Sequence, residues 1–183
     1  MGGMIIEFSE SGLQAKTYGE GEKANATPAK ENPAFATGAP LALESADEVP
    51  LFLKEGDKLI AFKADFPTLL EENGVIGKLA PLFAKRGINP REAICYLGPS
   101  LSFSHCPVSR ALQEKLIAQG KRAACKRTSG VDYVDYQVLA LLALRALGVP
   151  MKNIYVSPYC TYESKGLYSH RRGDQEENLT VAE

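Results

Sequence analysis

The sequence predicts an α/β (α+β) fold, a mixed β-sheet with helices packed on it. Three observations carry this. Short, nearly continuous apolar runs recur between residues 41 and 156, as in strands covered on both faces. Between them lie longer segments whose apolar residues recur at helical spacing. The chain has 183 residues, 45 % hydrophobic and 23 % charged, enough to bury one core of ordinary size.

Met4-Ile5-Ile6-Glu7-Phe8 reads as a short edge strand. From residue 9 to 40 the chain is polar, and residues 19–33 hold almost no large apolar side chain, so a mobile, poorly ordered loop is expected there. Apolar order begins at Leu41-Ala42-Leu43. Residues 49–53 and 59–62 flank Lys54-Glu55-Gly56-Asp57-Lys58 and read as the arms of a β-hairpin. A helix runs from Pro67 towards Lys85, kinked or split because Gly74, Gly77 and Pro81 interrupt it, and Gly87 stops it. Residues 94–97 form a buried strand ending at Gly98-Pro99, residues 109–118 a second helix stopped by Gly120, and residues 123–127 a strand. Asp135 caps a third helix over residues 136–147, so densely apolar that it must be largely buried. Ile154-Tyr155-Val156 is the next strand and delivers the chain to Cys160. The polar sequence after Arg172 is expected to fray. The chain thus divides into an N-terminal strand and flexible polar segment (1–40), an α/β domain (41–177) and a C-terminal tail (178–183).

A formal net charge of −1 leaves no basic excess to neutralise phosphates, so no nucleic-acid partner is expected. No apolar run is long enough to cross a bilayer, and the first residues lack the pattern of a signal peptide. The four cysteines, Cys95, Cys106, Cys125 and Cys160, form no CxxC pair, which with the missing signal predicts a reduced, cytoplasmic protein. The only two histidines are His105 and His170. A small-molecule ligand is the expected partner class, and the oligomeric state stays open.

The densest polar chemistry lies in Cys160-Thr161-Tyr162 and Ser169-His170-Arg171-Arg172. Cys160, at the end of a strand, is a candidate reactive thiol, against the alternative of an inert buried cysteine. Arg171 and Arg172, with His170, are candidates for binding an anion such as phosphate or a carboxylate; equally, an arginine pairing with Asp135, Asp174 or a carbonyl would pin the C-terminus. His105 and Cys106 are a candidate thiol–imidazole pair or two metal ligands, against a loop histidine beside a half-buried cysteine. A third arrangement, a new metal site from His105, Cys106, Cys160 and His170, requires distant segments to converge.

The motifs also resemble a known family. Gly98-Pro99-Ser100-Leu101, with Val108 seven residues after Leu101, resembles a GPxI…YEV segment. Asp135 and its apolar helix, Gly148-Val149-Pro150, Asn153-Ile154, Cys160-Thr161-Tyr162 and Ser169-His170-Arg171-Arg172 resemble a second. Ser45-Ala46-Asp47, Val49-Pro50 and the hairpin after them resemble a TADCxPV segment. In this order they are the motifs of the YfiH-like family, and the resemblance covers residues 41–177. That family was named for multicopper polyphenol oxidoreductase (laccase) activity and is also described as zinc-dependent purine nucleoside phosphorylase and adenosine deaminase. The resemblance implies a layered sandwich of mixed β-sheet with packed helices, similar to a bacterial toxin deamidase.

Set against the family pattern, the chain departs at the metal. The family's site resembles a His–Cys–His set. Residues 1–104 hold no histidine, Glu48 stands where the cysteine follows the Ala-Asp pair, and Lys63 stands where the second histidine opens an HAGWRG segment. The resemblance therefore implies a divergent, shortened member, metal-free with lost or altered activity, and no zinc or copper is expected. The alternative is an enzyme of the polyphenol oxidoreductase or purine nucleoside phosphorylase–deaminase type, its site remodelled around a purine nucleoside or another small molecule. Glu48 and Lys63 sit at the open ends of the hairpin arms, and an ion pair between them is expected as strongly as two independent solvated side chains. Asp47 is a candidate binding residue or a partner for backbone in the same core.

Overall fold

The computed structural model describes residues 3–9, 12–18 and 27–183. In chain order the elements are β1 (Gly3–Ser9), β2 (Gly12–Tyr18), β3 (Ala34–Thr37), β4 (Leu41–Ser45), β5 (Val49–Glu55), β6 (Lys58–Ala64), α1 (Phe66–Leu70), α2 (Gly74–Arg86), β7 (Ile94–Leu97), β8 (Pro107–Val108), α3 (Arg110–Ala118), β9 (Cys125–Thr128), β10 (Val131–Val134), α4 (Tyr136–Ala146), β11 (Ile154–Val156) and β12 (Asn178–Ala182). They form a five-stranded sheet in the order β11-β7-β5-β6-β3, a four-stranded sheet in the order β2-β1-β12-β4, and a small sheet, β8-β10-β9. The β1–β12 and β7–β11 pairs are parallel.

The unbroken apolar runs of β5, β6 and β7 have a direct cause: both faces of the sheet are covered. Alternate residues Leu51, Leu53, Ile60, Phe62, Cys95 and Leu97 pack on the helices, against Leu79, Leu139 and Leu144 among others. The intervening residues Phe52, Leu59, Ala61 and Tyr96 pack on Met4, Leu43 and Ala182 of the second sheet. The result is three layers: four-stranded sheet, five-stranded sheet, helices. The predicted mixed α+β sandwich is what the chain forms.

The hairpin turns at Gly56-Asp57, with Glu55 opposite Lys58, and Gly56 takes the positive φ of 60° such a turn asks of a glycine. The predicted split in the first helix falls between α1 and α2. Asp65 caps α1 by accepting a hydrogen bond from the Thr68 amide at 2.9 Å. At the break, a Cβ on residue 74 would lie 2.1 Å from the Thr68 carbonyl oxygen, so Gly74 is what lets α2 start there. Asp135 caps α4 as expected, accepting from the Val138 amide at 3.0 Å.

Two expectations at the termini are corrected. The strand at residues 4–8 is not an edge: β1 lies inside its sheet, between β2 and β12. Nor do residues 178–183 fray as a tail. Asn178–Ala182 is a fully buried strand between β1 and β4, because Leu179, Val181 and the small Ala182 fill a slot that two other strands leave open. The loop expected over residues 19–33 falls partly outside the described residues, at 19–26. Its remainder is tied down. The Ala29 amide donates to the Ala42 carbonyl at 2.9 Å, and the Asn32 side chain exchanges two hydrogen bonds of 2.8 Å with the Lys63 backbone. Among the described residues no helix is long and apolar enough to cross a membrane.

Candidate functional site

β7 and β11 are parallel neighbours, so their carboxyl ends emerge side by side, the place where open α/β sheets collect ligand-binding loops. The two exiting segments stay stitched together. The Ser157 amide donates to the Leu97 carbonyl at 2.8 Å, Ser100 bridges Cys160, and the Thr161 amide donates to the Ser100 carbonyl at 3.1 Å. Gly98 makes the crossing possible, since a Cβ there would lie 2.6 Å from Pro50 Cγ. Gln137, in the first turn of α4, donates from Nε2 to the carbonyls of Gly98 and Ser157 at 3.0 and 3.3 Å.

Asp47 is the bolt of this region. It is buried, and both carboxylate oxygens are used: Thr161 Oγ1 donates to one at 2.7 Å and the Arg171 amide to the other at 2.8 Å. Its own carbonyl accepts the Leu101 amide at 3.2 Å. All three motif segments named from the sequence therefore meet at one residue, Asp47.

Arg171 and Arg172 separate into two roles. The Arg172 guanidinium donates to the carbonyls of Thr161 (3.1 Å), Tyr162 (2.9 Å), Ser164 (3.4 Å) and Leu167, and to the Asp174 carboxylate. Asp174 also accepts the Ser169 amide at 2.9 Å. That amide, and then the Arg172 guanidinium, hold its carboxyl below the usual range. Arg172 thus pins the C-terminal segment, the structural role weighed for it. The guanidinium of Arg171 makes no hydrogen bond or ion pair among the described residues.

His105 and Cys106 face opposite ways. Cys106 is buried and donates from Sγ to the Ser102 carbonyl at 3.4 Å. Burial pushes its thiol up to about 12, although the nearby Arg171 charge works against the rise. His105 instead turns to the surface, where Nε2 lies 2.8 Å from Glu163 Oε1 and the ring sits 4.2 Å from that of Tyr162. Cys160 is buried beside them, its Sγ accepting the Ser102 amide at 3.3 Å. Donor atoms of His105, Cys160 and Glu163 all lie within 4.8 Å of one another; Cys106 and the exposed His170 are not in this group. Distant segments do converge, therefore, but with Glu163 as the third member. Sequence reasoning missed it because an acidic residue three positions after Cys160 looks like ordinary surface until β7 and β11 are laid side by side.

At the hairpin's open end neither of the two arrangements weighed for Glu48 and Lys63 forms, the ion pair between them or two independent solvated side chains. The turn at Gly56-Asp57 puts Pro50, not Glu48, opposite Lys63. Glu48 curls back to accept the Ala46 amide at 3.1 Å, and Lys63 Nζ meets Glu177 Oε1 at 3.4 Å, a partner that β12 brings into place. A cavity of about 320 Å³ opens elsewhere, between the α1–α2 break, the end of α3 and α4. There Lys121 donates to the Glu71 carbonyl at 2.7 Å, and burial lowers its ammonium pKa. None of the site residues predicted from sequence lines it.

Residues 34–179 match the family described as multi-copper polyphenol oxidoreductase laccase. Among curated relatives, a purine nucleoside phosphorylase of Corynebacterium glutamicum is 27 % identical over 135 residues, covering 74 % of this chain and 54 % of the relative. One from Mycobacterium tuberculosis is 28 % identical over 132 residues, covering 72 % and 52 %. The chain thus spans about half the length of the curated relatives it matches. In fold it is similar to the hypothetical protein YfiH of Bacillus licheniformis, with a TM-score of 0.66 at 20 % identity over 78 % of this chain and 55 % of that one. It is similar too to YlmD from Geobacillus stearothermophilus, with a TM-score of 0.65 at 22 % identity over 80 % and 57 %. Three motif segments meeting at Asp47, this layered fold and a match over most of its length lead to one conclusion: the chain belongs to the multi-copper polyphenol oxidoreductase laccase family, the YfiH-like proteins.

Proposed function

We propose that this chain keeps the scaffold of the laccase family without the family's metal centre, so that the family activity is lost or altered. The observation that carries the reading is how Glu48 and Lys63 are used. Zinc is held by about three thiolate, imidazole or carboxylate ligands. Here one position offers a carboxylate already accepting the Ala46 amide, and the other an ammonium paired with Glu177, which repels a cation. Neither histidine of the chain precedes residue 105. These residues do not fit the family's zinc or copper, and no reaction step is assigned through it.

A second reading rests on Arg171. An exposed guanidinium with no hydrogen-bond or ion-pair partner among the described residues, beside the ends of β7 and β11, suits an anionic group such as phosphate. With relatives named purine nucleoside phosphorylase, the ligand class for a remodelled site is a purine nucleoside together with phosphate. The test is turnover by the purified full chain, measured as phosphate-dependent release of base from inosine or adenosine and as oxidation of a phenol. The expected result is no turnover that depends on Glu48 or Lys63. Activity abolished by Glu48→Gln or Lys63→Met overturns the first reading. Base release that survives both substitutions but fails in Arg171→Ala establishes the second.

A further inference from the structure

We propose that His105, Cys160 and Glu163 form a divalent-cation site of their own, selective for zinc-like ions and separate from the hairpin positions where the family resemblance places metal. The imidazole, thiolate and carboxylate donors are the ones zinc prefers, and three protein ligands leave a fourth position for water. Their donor atoms already lie within 4.8 Å of one another. Bonds of about 2.0–2.3 Å to each need donor separations of roughly 3.3–3.8 Å in a tetrahedral shell, so the 2.8 Å between His105 Nε2 and Glu163 Oε1 must open a little and any longer separation must close. The Glu163 side chain, 59 % exposed, is free to make that move.

The surroundings are those of a supported site. His105 Nε2 and Glu163 Oε1 lie 2.8 Å apart, a hydrogen-bonded contact that a cation between them can replace. Tyr162 packs on the imidazole and fixes its plane, and the His105 amide donates to the Ser102 carbonyl at 3.0 Å, holding its backbone. The Ser102 amide, 3.3 Å from Cys160 Sγ, stabilises the negative charge a bound thiolate carries, the role of an outer-shell donor in metal sites. Cys160 and His105 are delivered by the stitched ends of β11 and β7, so two of the three ligands sit on the ordered scaffold. Binding releases the Cys160 thiol proton, and any imidazolium proton of His105, to solvent, so affinity rises with pH.

The test is a Co2+ titration of the full chain after chelator treatment under reducing conditions. One equivalent is expected to give near-ultraviolet thiolate-to-cobalt absorption that Zn2+ displaces. Cys160→Ser removes the band, Glu163→Gln weakens binding by at least about tenfold, and Cys106→Ser and Cys125→Ser leave it intact. Should the buried Cys160→Ser variant fail to fold by circular dichroism, His105→Gln and Glu163→Gln, which lie towards the surface, decide the matter. No thiolate band at saturating Co2+, or a band indifferent to both His105 and Glu163, overturns the proposal and leaves the reading of the hairpin positions untouched. Metal retained when His105→Gln, Cys160→Ser and Glu163→Gln are combined, and lost on adding Glu48→Gln, overturns that reading as well.

Discussion

The open end of the β5–β6 hairpin and the carboxyl ends of β7 and β11 both carry ionisable side chains, and they use them in opposite ways. At the hairpin, Glu48 satisfies its own turn and Lys63 satisfies Glu177. At the ends of β7 and β11, a buried thiol, a half-buried imidazole and an exposed carboxylate point towards one small volume, and the Arg171 guanidinium makes no hydrogen bond or ion pair among the described residues. Between the two stands Asp47, buried, with both carboxylate oxygens used to fasten the segments together. The lesson is that retained motif residues are not evidence of retained chemistry until their hydrogen bonds are traced: Arg172 has spent its donors on the fold, and its neighbour has not.

The sharpest way to break the contrast is Asp47→Ala. It leaves the fully buried Thr161 hydroxyl and the Arg171 amide without their acceptor, and a loss of about 2–4 kcal/mol is expected in urea denaturation. Asp47→Asn should cost nearly as much, because its amide NH2 must face one of the two donors. Next comes Arg172→Ala, at about 2–3 kcal/mol, since four carbonyls lose a shared charged donor. Arg172→Lys should not rescue it, for an ammonium cannot span that fan of acceptors. A loss below about 1 kcal/mol for either position would mean the frame is held elsewhere.

The Asp174 carboxyl, held low by the Ser169 amide and Arg172, stabilises the fold fully above its unfolded value near pH ~3.9 and loses that contribution as pH falls through its lower folded value. Melting curves of Asp174→Asn should therefore lie below the parent at pH 7 and converge with it in strong acid; a constant gap would remove the electrostatic explanation. Cys106, raised to about 12, should resist iodoacetamide at pH 8 in the folded chain and react only on unfolding, as peptide mapping would show. The smallest effect is at the hairpin: Glu48→Gln and Lys63→Met should each shift stability by no more than about 0.5–1 kcal/mol, since ion pairs in contact with solvent contribute little.

The central layer was legible because its physics is local. Continuous apolar runs around Gly56-Asp57, the cap at Asp135, and the glycine break at residue 74 each declare themselves within a few residues. The second sheet was not legible, because β12 owes its burial to β1 and β4, which lie far away in sequence, and a five-residue polar-flanked strand carries no signal of that by itself. At the candidate site Cys160 and His105 were visible as residue types. Glu163 and the division of labour between Arg171 and Arg172 depend on where two parallel strands end, which spacing alone does not reveal.

The parallel pairing of β1 with β12 sets Gly3 opposite Leu179, and this imposes an order on how the molecule can be made. During synthesis the hairpin, α2, β7 and α4 can meet through nearer contacts, whereas the sheet that shelters Phe52, Leu59 and Tyr96 must wait for residues 178–182 to leave the ribosome. Until then one face of the central sheet is an apolar surface in search of a cover, open to chaperones and to other nascent copies. Pulse-labelled hydrogen exchange should find the amides of Leu179 and Val181 protected after those of Leu51 and Leu97. Simultaneous protection would mean that the last strand is captured as soon as it appears.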